Sequence, residues 1–167
     1  SDILVVPHAL QQQIEFRQEK GPWNKNSNIN KFLETKEKDF LLTLNPIYEA
    51  IKKTKQILKK DKSLIGFVGA PWTLLIYLYN LKERHSLSEK IDLKNKNETK
   101  LVLKKLDEFL KLHIIHQKEA GAEVIQIFDS WAGLIKQEDL NEYCYDPNRS
   151  LTNFCRKNNI VDEKKSV

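Results

Sequence analysis

Three stretches of this chain set a polar or small residue at the end of an apolar run, an arrangement suited to holding a ligand or a charge. Asp2 precedes Ile3-Leu4-Val5-Val6. A carboxylate there is either a turn or helix cap or a charge held at the mouth of a pocket, and caps are the commoner use. Gly69-Ala70-Pro71 closes the run Leu64-Ile65-Gly66-Phe67-Val68 and opens Trp72 to Tyr79. Gly69 has no Cβ and lets backbone approach closely, and Pro71 suits a first helical position. Asp129-Ser130 ends the run Ala122 to Phe128 and is followed by Trp131-Ala132-Gly133. Strand ends of this kind carry the ligands of α/β folds. From the pattern alone, a plain strand–helix connection reads equally well. His113 and His116 are three residues apart and could share a metal, although packing and solvent contact are the better reading. Cys144 and Cys155 lack the C-x-x-C spacing of a zinc site and read as reduced thiols of a cytosolic protein.

These residues need elements to position them. Of 167 residues, 40% are hydrophobic and 31% charged. No apolar run approaches the ~20 residues of a membrane span. The formal charge of +5 is spread over lysines interleaved with Glu and Asp, which favours a solvated surface over a nucleic-acid footprint. The chain starts at Ser1, contains no Met and shows no secretory leader, so it reads as a piece of a longer protein.

SDILVVP reads as the end of a buried strand or the loop above one, and Gly21-Pro22 as a turn. Residues 23–31 read as an exposed loop and Phe32 to Asp39 as a short helix. Asn45-Pro46 reads as a helix start, with Ile47, Ala50, Ile51, Thr54, Ile57 and Leu58 at helical spacing. Strands are expected at 64–68 and 122–129, with a helix between them from Pro71 to Tyr79. Residues 80–97, with an exposed His85, read as a loop or frayed helix. A long helix is expected at Glu98–Ala120, its stripe formed by Val102, Leu106, Phe109, Leu110, His113 and Ile114, with Gly121 as its C-cap. Helices at Gln137–Tyr145 and from Asp146-Pro147 to Lys157 follow, then a lead-in to a further strand and the charged tail 161–167. The strand–helix alternation predicts an α/β fold with parallel strands, either doubly wound or a (β/α)₈ barrel. No GxGxxG or GxxxxGK[ST] follows a strand. A barrel takes ~250 residues, so this chain could supply about half of one.

SDILVVPHAL at 1–10, IGFVGAPWTLLIY at 65–77 and AGAEVIQIFDSWAG at 120–133 together resemble the uroporphyrinogen decarboxylase family. DPNRSLTNFCRKNNI sits where that family has a helix before its next strand. The resemblance covers residues 1 to about 160 and implies a partial TIM barrel, with 161–167 an unmatched tail. It implies removal of carboxyl groups from the acetate side chains of uroporphyrinogen, an anionic tetrapyrrole, by a cytoplasmic homodimer. No metal, cofactor, nucleic acid or membrane partner is implied. Asp2 would be the catalytic carboxylate, accepting pyrrole N–H bonds and stabilising a protonated pyrrole. Tyr77 and Ser130 would contact substrate, and Phe67 and Gly69 would form pocket wall.

The chain departs from the family pattern as well. An Arg-rich first-strand motif, a late His and the last strands are not found in it, and Gln11 replaces a usual Gly. The chain alone is therefore expected to be inactive. As an open sheet of three parallel strands with unpaired edges, it is expected to aggregate or stay molten. A zinc-dependent methyltransferase of the same barrel superfamily is the alternative, although its His-x-Cys is not found. A non-catalytic tetrapyrrole-binding fragment is another.

Overall fold

The computed structural model of the chain describes residues 2–18, 21–25, 28–81 and 95–160. In chain order the elements are α1 (Val5–Ala9), β1 (Ile14–Arg17), β2 (Gly21–Asn24), α2 (Ile29–Glu34), α3 (Glu37–Ile57), β3 (Ile65–Gly69), α4 (Pro71–Leu78), α5 (Lys96–Ala120), β4 (Val124–Phe128) and α6 (Asp146–Lys157).

Local chemistry sets the limits of the long helix. The Asn95 side chain accepts the Glu98 N–H at 3.1 Å, and Glu98 places a negative charge in the first turn of α5. Gly121, at φ +120°, ends the helix as expected. Its stripe of Val102, Leu106, Phe109, Leu110, His113 and Ile114 is buried, and it extends one turn further to Gln117. Helix α4 is apolar on every side and correspondingly buried all round, from Trp72 to Ile76 and at Leu78. The core joins α4 and α5 to Phe40 and Leu44 of α3, Val6 of α1, and Tyr143 and Leu151 near and within α6. Phe40 meets Phe109 edge-on at 4.8 Å.

Strands β3 and β4 pair in parallel, from Ile65 opposite Val124 to Gly69 opposite Phe128. The crossover between them runs through α4 and α5, which is the expected α/β arrangement. Gly66 and Val68 turn inward, and a Cβ on Gly66 would lie 2.7 Å from both Gln117 Oε1 and Ile125 Cδ1. The opposite face is bare: Ile65 is 60% exposed and Phe128 44%. Those apolar side chains are what the expected self-association would rest on.

Several expectations are corrected. The parallel sheet has two strands among the described residues, not three, and these residues do not form a barrel. SDILVVP leads into the short helix α1 instead of ending a strand. Pro46 lies inside α3, whose first turn carries Glu37 and Asp39, so Asn45 is no cap. Pro46 and its neighbour Leu42 are both exposed, and water can reach the carbonyl that Pro46 leaves without a donor. Ile57 is 85% exposed and off the stripe.

The stretch 23–31 is no simple loop. Trp23 and Asn24 belong to β2, which pairs with β1 as an antiparallel hairpin. Buried Asn24 donates to Gln12 Oε1 at 3.1 Å and to the Leu78 carbonyl at 3.0 Å, and this docks the hairpin on α4. Helix α2 occupies Ile29–Glu34, earlier than the helix expected from Phe32. Residues 137–145 form a 3-10 turn (Gln137–Asp139) and a π-helical turn (Asn141–Tyr145) that runs straight into α6. His85, most of 80–97 and the tail 161–167 lie outside the described residues; Lys96 and Asn97 begin α5.

Candidate functional site

The end of β3 is a close-packed junction. A Cβ on Gly69 would lie 2.8 Å from Leu74 Cδ2 and 3.2 Å from Ile3 Cβ, so the Asp2–Leu4 turn sits directly against the strand end. Asp2 Oδ1 accepts the Leu4 N–H at 2.9 Å, and the Asp2 carbonyl accepts the Val5 N–H at 3.2 Å. The capping use of Asp2 is therefore present, and the residue is exposed, so its charge stands in solvent at the surface.

Asp2 and Phe67 line the same cavity, about 150 Å³ in volume, with Ile47, Ile51, His113 and Gln117. It flanks β3 on the edge away from β4. The Leu64 carbonyl and Ala70 N–H bond to Glu123 and Phe128 on the β4 side. The alternation of a parallel ladder then turns the Phe67 peptide groups to the other edge. Gln117 takes both: its Oε1 accepts the Phe67 N–H and its Nε2 donates to the Phe67 carbonyl, each at 3.1 Å.

Deeper in this cavity, His113 Nδ1 lies 3.0 Å from the Tyr48 hydroxyl. Burial, with a smaller contribution from His116, holds His113 down to about 4 from the ordinary 6.5. Burial also raises the Tyr48 phenol. His116 has a carboxylate one turn on, with Nδ1 at 3.3 Å from Glu119 Oε2, a pairing that the sequence reading overlooked. Among the described residues no group of three or more His, Cys, Asp or Glu could hold a metal ion.

The buried histidine makes stability depend on pH. Its pKa is lower in the folded chain than in the unfolded one, so the native state binds fewer protons between pH 6.5 and 4. Its contribution is complete above pH 6.5 and is lost as the pH falls towards 4, about 3 kcal/mol in all. In a full-length protein, urea midpoints measured from pH 7 to pH 4 are expected to fall accordingly, and to fall less in His113→Gln. An equal slope in both proteins would contradict the assignment.

The end of β4 presents a second group. Ser130 is exposed at the tip of a turn whose neighbours are both tied down. Asp129 Oδ1 accepts the Thr73 hydroxyl at 2.9 Å, and Thr73 Oγ1 accepts the Trp131 N–H at 3.2 Å. The Trp72 indole donates to the Trp131 carbonyl at 2.8 Å. Half-buried Tyr77 meets the Trp131 ring edge-on at 6.3 Å. Phe67 and Phe128 meet at 6.0 Å on the open face of the sheet.

The five candidate residues thus fall into two neighbouring groups. Asp2 and Phe67 share the cavity beside β3, Tyr77 and Ser130 flank Trp131 beyond β4, and Gly69 sits under the Asp2 turn. Sequence reasoning passed over Thr73, Gln117 and Phe128, and marked Asp129 only as a strand end. Gln117 had left a signal, a polar residue continuing an apolar helical stripe.

Both turns lie at the carboxyl ends of the parallel strands, the edge outside which α/β proteins bind their ligands. The family model described as uroporphyrinogen decarboxylase (URO-D) matches residues 1–161, and the chain belongs to this family. A uroporphyrinogen decarboxylase of Rickettsia bellii (strain RML369-C) is 36% identical over 156 residues, which cover 90% of this chain and 45% of that protein. The Rickettsia conorii (strain Malish 7) protein of the same name is 35% identical, with 44% of its length covered. The chain therefore spans less than half the length of these curated relatives.

Proposed function

We propose that the chain is part of a uroporphyrinogen decarboxylase, a carboxy-lyase that removes CO₂ from the acetate side chains of uroporphyrinogen III to give coproporphyrinogen III in heme biosynthesis. The complete protein is a (β/α)₈ barrel acting as a cytoplasmic homodimer without metal or cofactor, and residues 1–160 contribute a partial barrel. Loss of CO₂ leaves an electron pair that needs a sink, and a protonated pyrrole ring supplies it. Asp2 accepts the pyrrole N–H groups and stabilises the ring cation by charge and hydrogen bonding. Tyr77 and Ser130 orient the ring or its carboxylates, and Phe67 and Gly69 form the wall.

The observation that carries this reading is the seating of the Asp2 turn on Gly69, with Phe67 lining the same cavity as Asp2. No helix of the described residues is long and apolar enough to cross a membrane. In a full-length enzyme, Asp2→Asn is expected to lower kcat by about 10²–10³, the range for losing one preorganised electrostatic contact. Product formation from uroporphyrinogen, followed by separation of the partly decarboxylated porphyrins after oxidation, checks this. Unchanged kcat would remove Asp2 from the chemistry.

A further inference from the structure

The turn that carries Ser130 is held from two sides, and one carboxylate makes both attachments. On the α4 side, Asp129 Oδ1 accepts the Thr73 hydroxyl at 2.9 Å, and Thr73 is fully buried. On the α6 side, Asp129 Oδ2 accepts the Asn148 side-chain N–H at 3.0 Å and lies 3.6 Å from Cys144 Sγ. Thr73 passes the connection on by accepting the Trp131 N–H, while Trp72 holds the Trp131 carbonyl. Both neighbours of Ser130 are thus anchored, and Ser130 alone in the turn projects into solvent. An ionised carboxylate suits this place because it offers two acceptor oxygens to donors from separate helices. An amide has one acceptor, and its NH₂ would face the Asn148 donor.

From this geometry we infer that Asp129 is a positioning residue. It touches no ligand itself, and it fixes the Ser130 hydroxyl and the Trp131 ring against Tyr77 by joining α4 to α6 through the strand end. The inference rests on the decarboxylase reading for what Ser130 binds, but not for the hold on the turn. It extends the proposed site to Thr73, Asp129 and Asn148.

The test uses a full-length protein that contains this chain. Amide hydrogen exchange is read by mass spectrometry on the segment containing Trp131 and on α5. Asp129→Asn is expected to speed exchange at the Trp131 amide at least tenfold and to leave the α5 amides within twofold. Asn148→Ala removes the α6 attachment without touching Thr73, the acceptor of the Trp131 N–H, and is expected to act in the same direction, which keeps the test decisive if Asp129→Asn unfolds. An unchanged Trp131 rate in either folded variant overturns the inference, and so does a rise spread evenly over α5.

Binding of uroporphyrin, followed by quenching of tryptophan fluorescence, supplies a second readout. Asp129→Asn is expected to weaken it about tenfold, and Ser130→Ala on top of it to add nothing. Additive losses would mean that Asp129 acts other than through Ser130. A full-length parent that shows the expected exchange pattern and binds no uroporphyrin would support the role of Asp129 in the turn and count against the decarboxylase reading instead.

Discussion

The 167-residue chain by itself is expected to release no CO₂ from uroporphyrinogen. The reason is electrostatic before it is compositional. A carboxylate stabilises a ring cation strongly only where water is excluded: at ~4 Å the attraction is about 1 kcal/mol in water and about 4 at an effective dielectric of 20. Asp2 is exposed, and the sheet face carrying Ile65, Phe67 and Phe128 is open to solvent. Gly69 is buried under the Asp2 turn, but among the described residues Asp2 and Ser130 are left exposed to water. The chain also spans only 45% of the Rickettsia bellii relative. Incubation with enzymatically or chemically reduced uroporphyrin, with products oxidised and separated by carboxyl number, reads the result directly. Hepta- to tetracarboxylated products above the no-protein control would show that the partial site is sufficient and that the environment argued for Asp2 is wrong.

Trp72→Ala is the substitution expected to do most damage to the fold. Trp72 is 1% exposed, stacks on Tyr143 at 5.5 Å and donates its indole N–H to the Trp131 carbonyl at 2.8 Å. Truncation removes the contact between α4 and the approach to α6, opens a large cavity and leaves a carbonyl without its donor. Large-to-small changes of this kind cost about 3–5 kcal/mol, against a total of about 5–15 for an ordinary domain. Chemical denaturation of a full-length protein, followed by far-UV circular dichroism, should show a loss of that size. Trp72→Phe, which keeps most of the volume and loses only the hydrogen bond, should lose about 1 kcal/mol. Equal losses in the two variants would assign the effect to the hydrogen bond instead of to packing.

What could be read from the residues follows the range of the forces involved. Helix α5 was legible because its apolar stripe recurs over more than three turns, from Val102 to Ile114, and Gly121 stops it. The two parallel strands were legible because each is a short, mostly apolar run ended by a turn signal, although β4 proves half-exposed. Asn45-Pro46 misled because the same pair serves a first turn and the exposed side of a longer helix, and only the burial of Phe40 and Leu44 upstream separates the two. The hairpin was missed because Asn24 is fixed by Leu78 and Asn80, more than fifty residues away. The same distance hid the site's supports. Thr73 and Asp129 are 56 residues apart, and Gln117 and Phe67 are 50 apart. Asp2, Phe67, Gly69, Tyr77 and Ser130 were singled out together by resemblance to a family. Their division between two strand ends needed coordinates.

The parallel ladder of β3 and β4 has a consequence for the order of folding. Its partners are separated by 59 residues, from Ile65 to Val124. Closing so long a loop is entropically slow unless structure shortens it. Helix α5 does so, since its 25 residues span about 37 Å as a rigid rod at 1.5 Å per residue. It brings Gln117 to the edge of β3 and Gly121 to the threshold of β4. On a ribosome, β3 would emerge and wait for its partner strand while the hairpin and α3 fold ahead of it. Formation of α5 is therefore the step that decides whether Gly66 and the peptide groups of Phe67 meet Gln117 or are left to meet another chain.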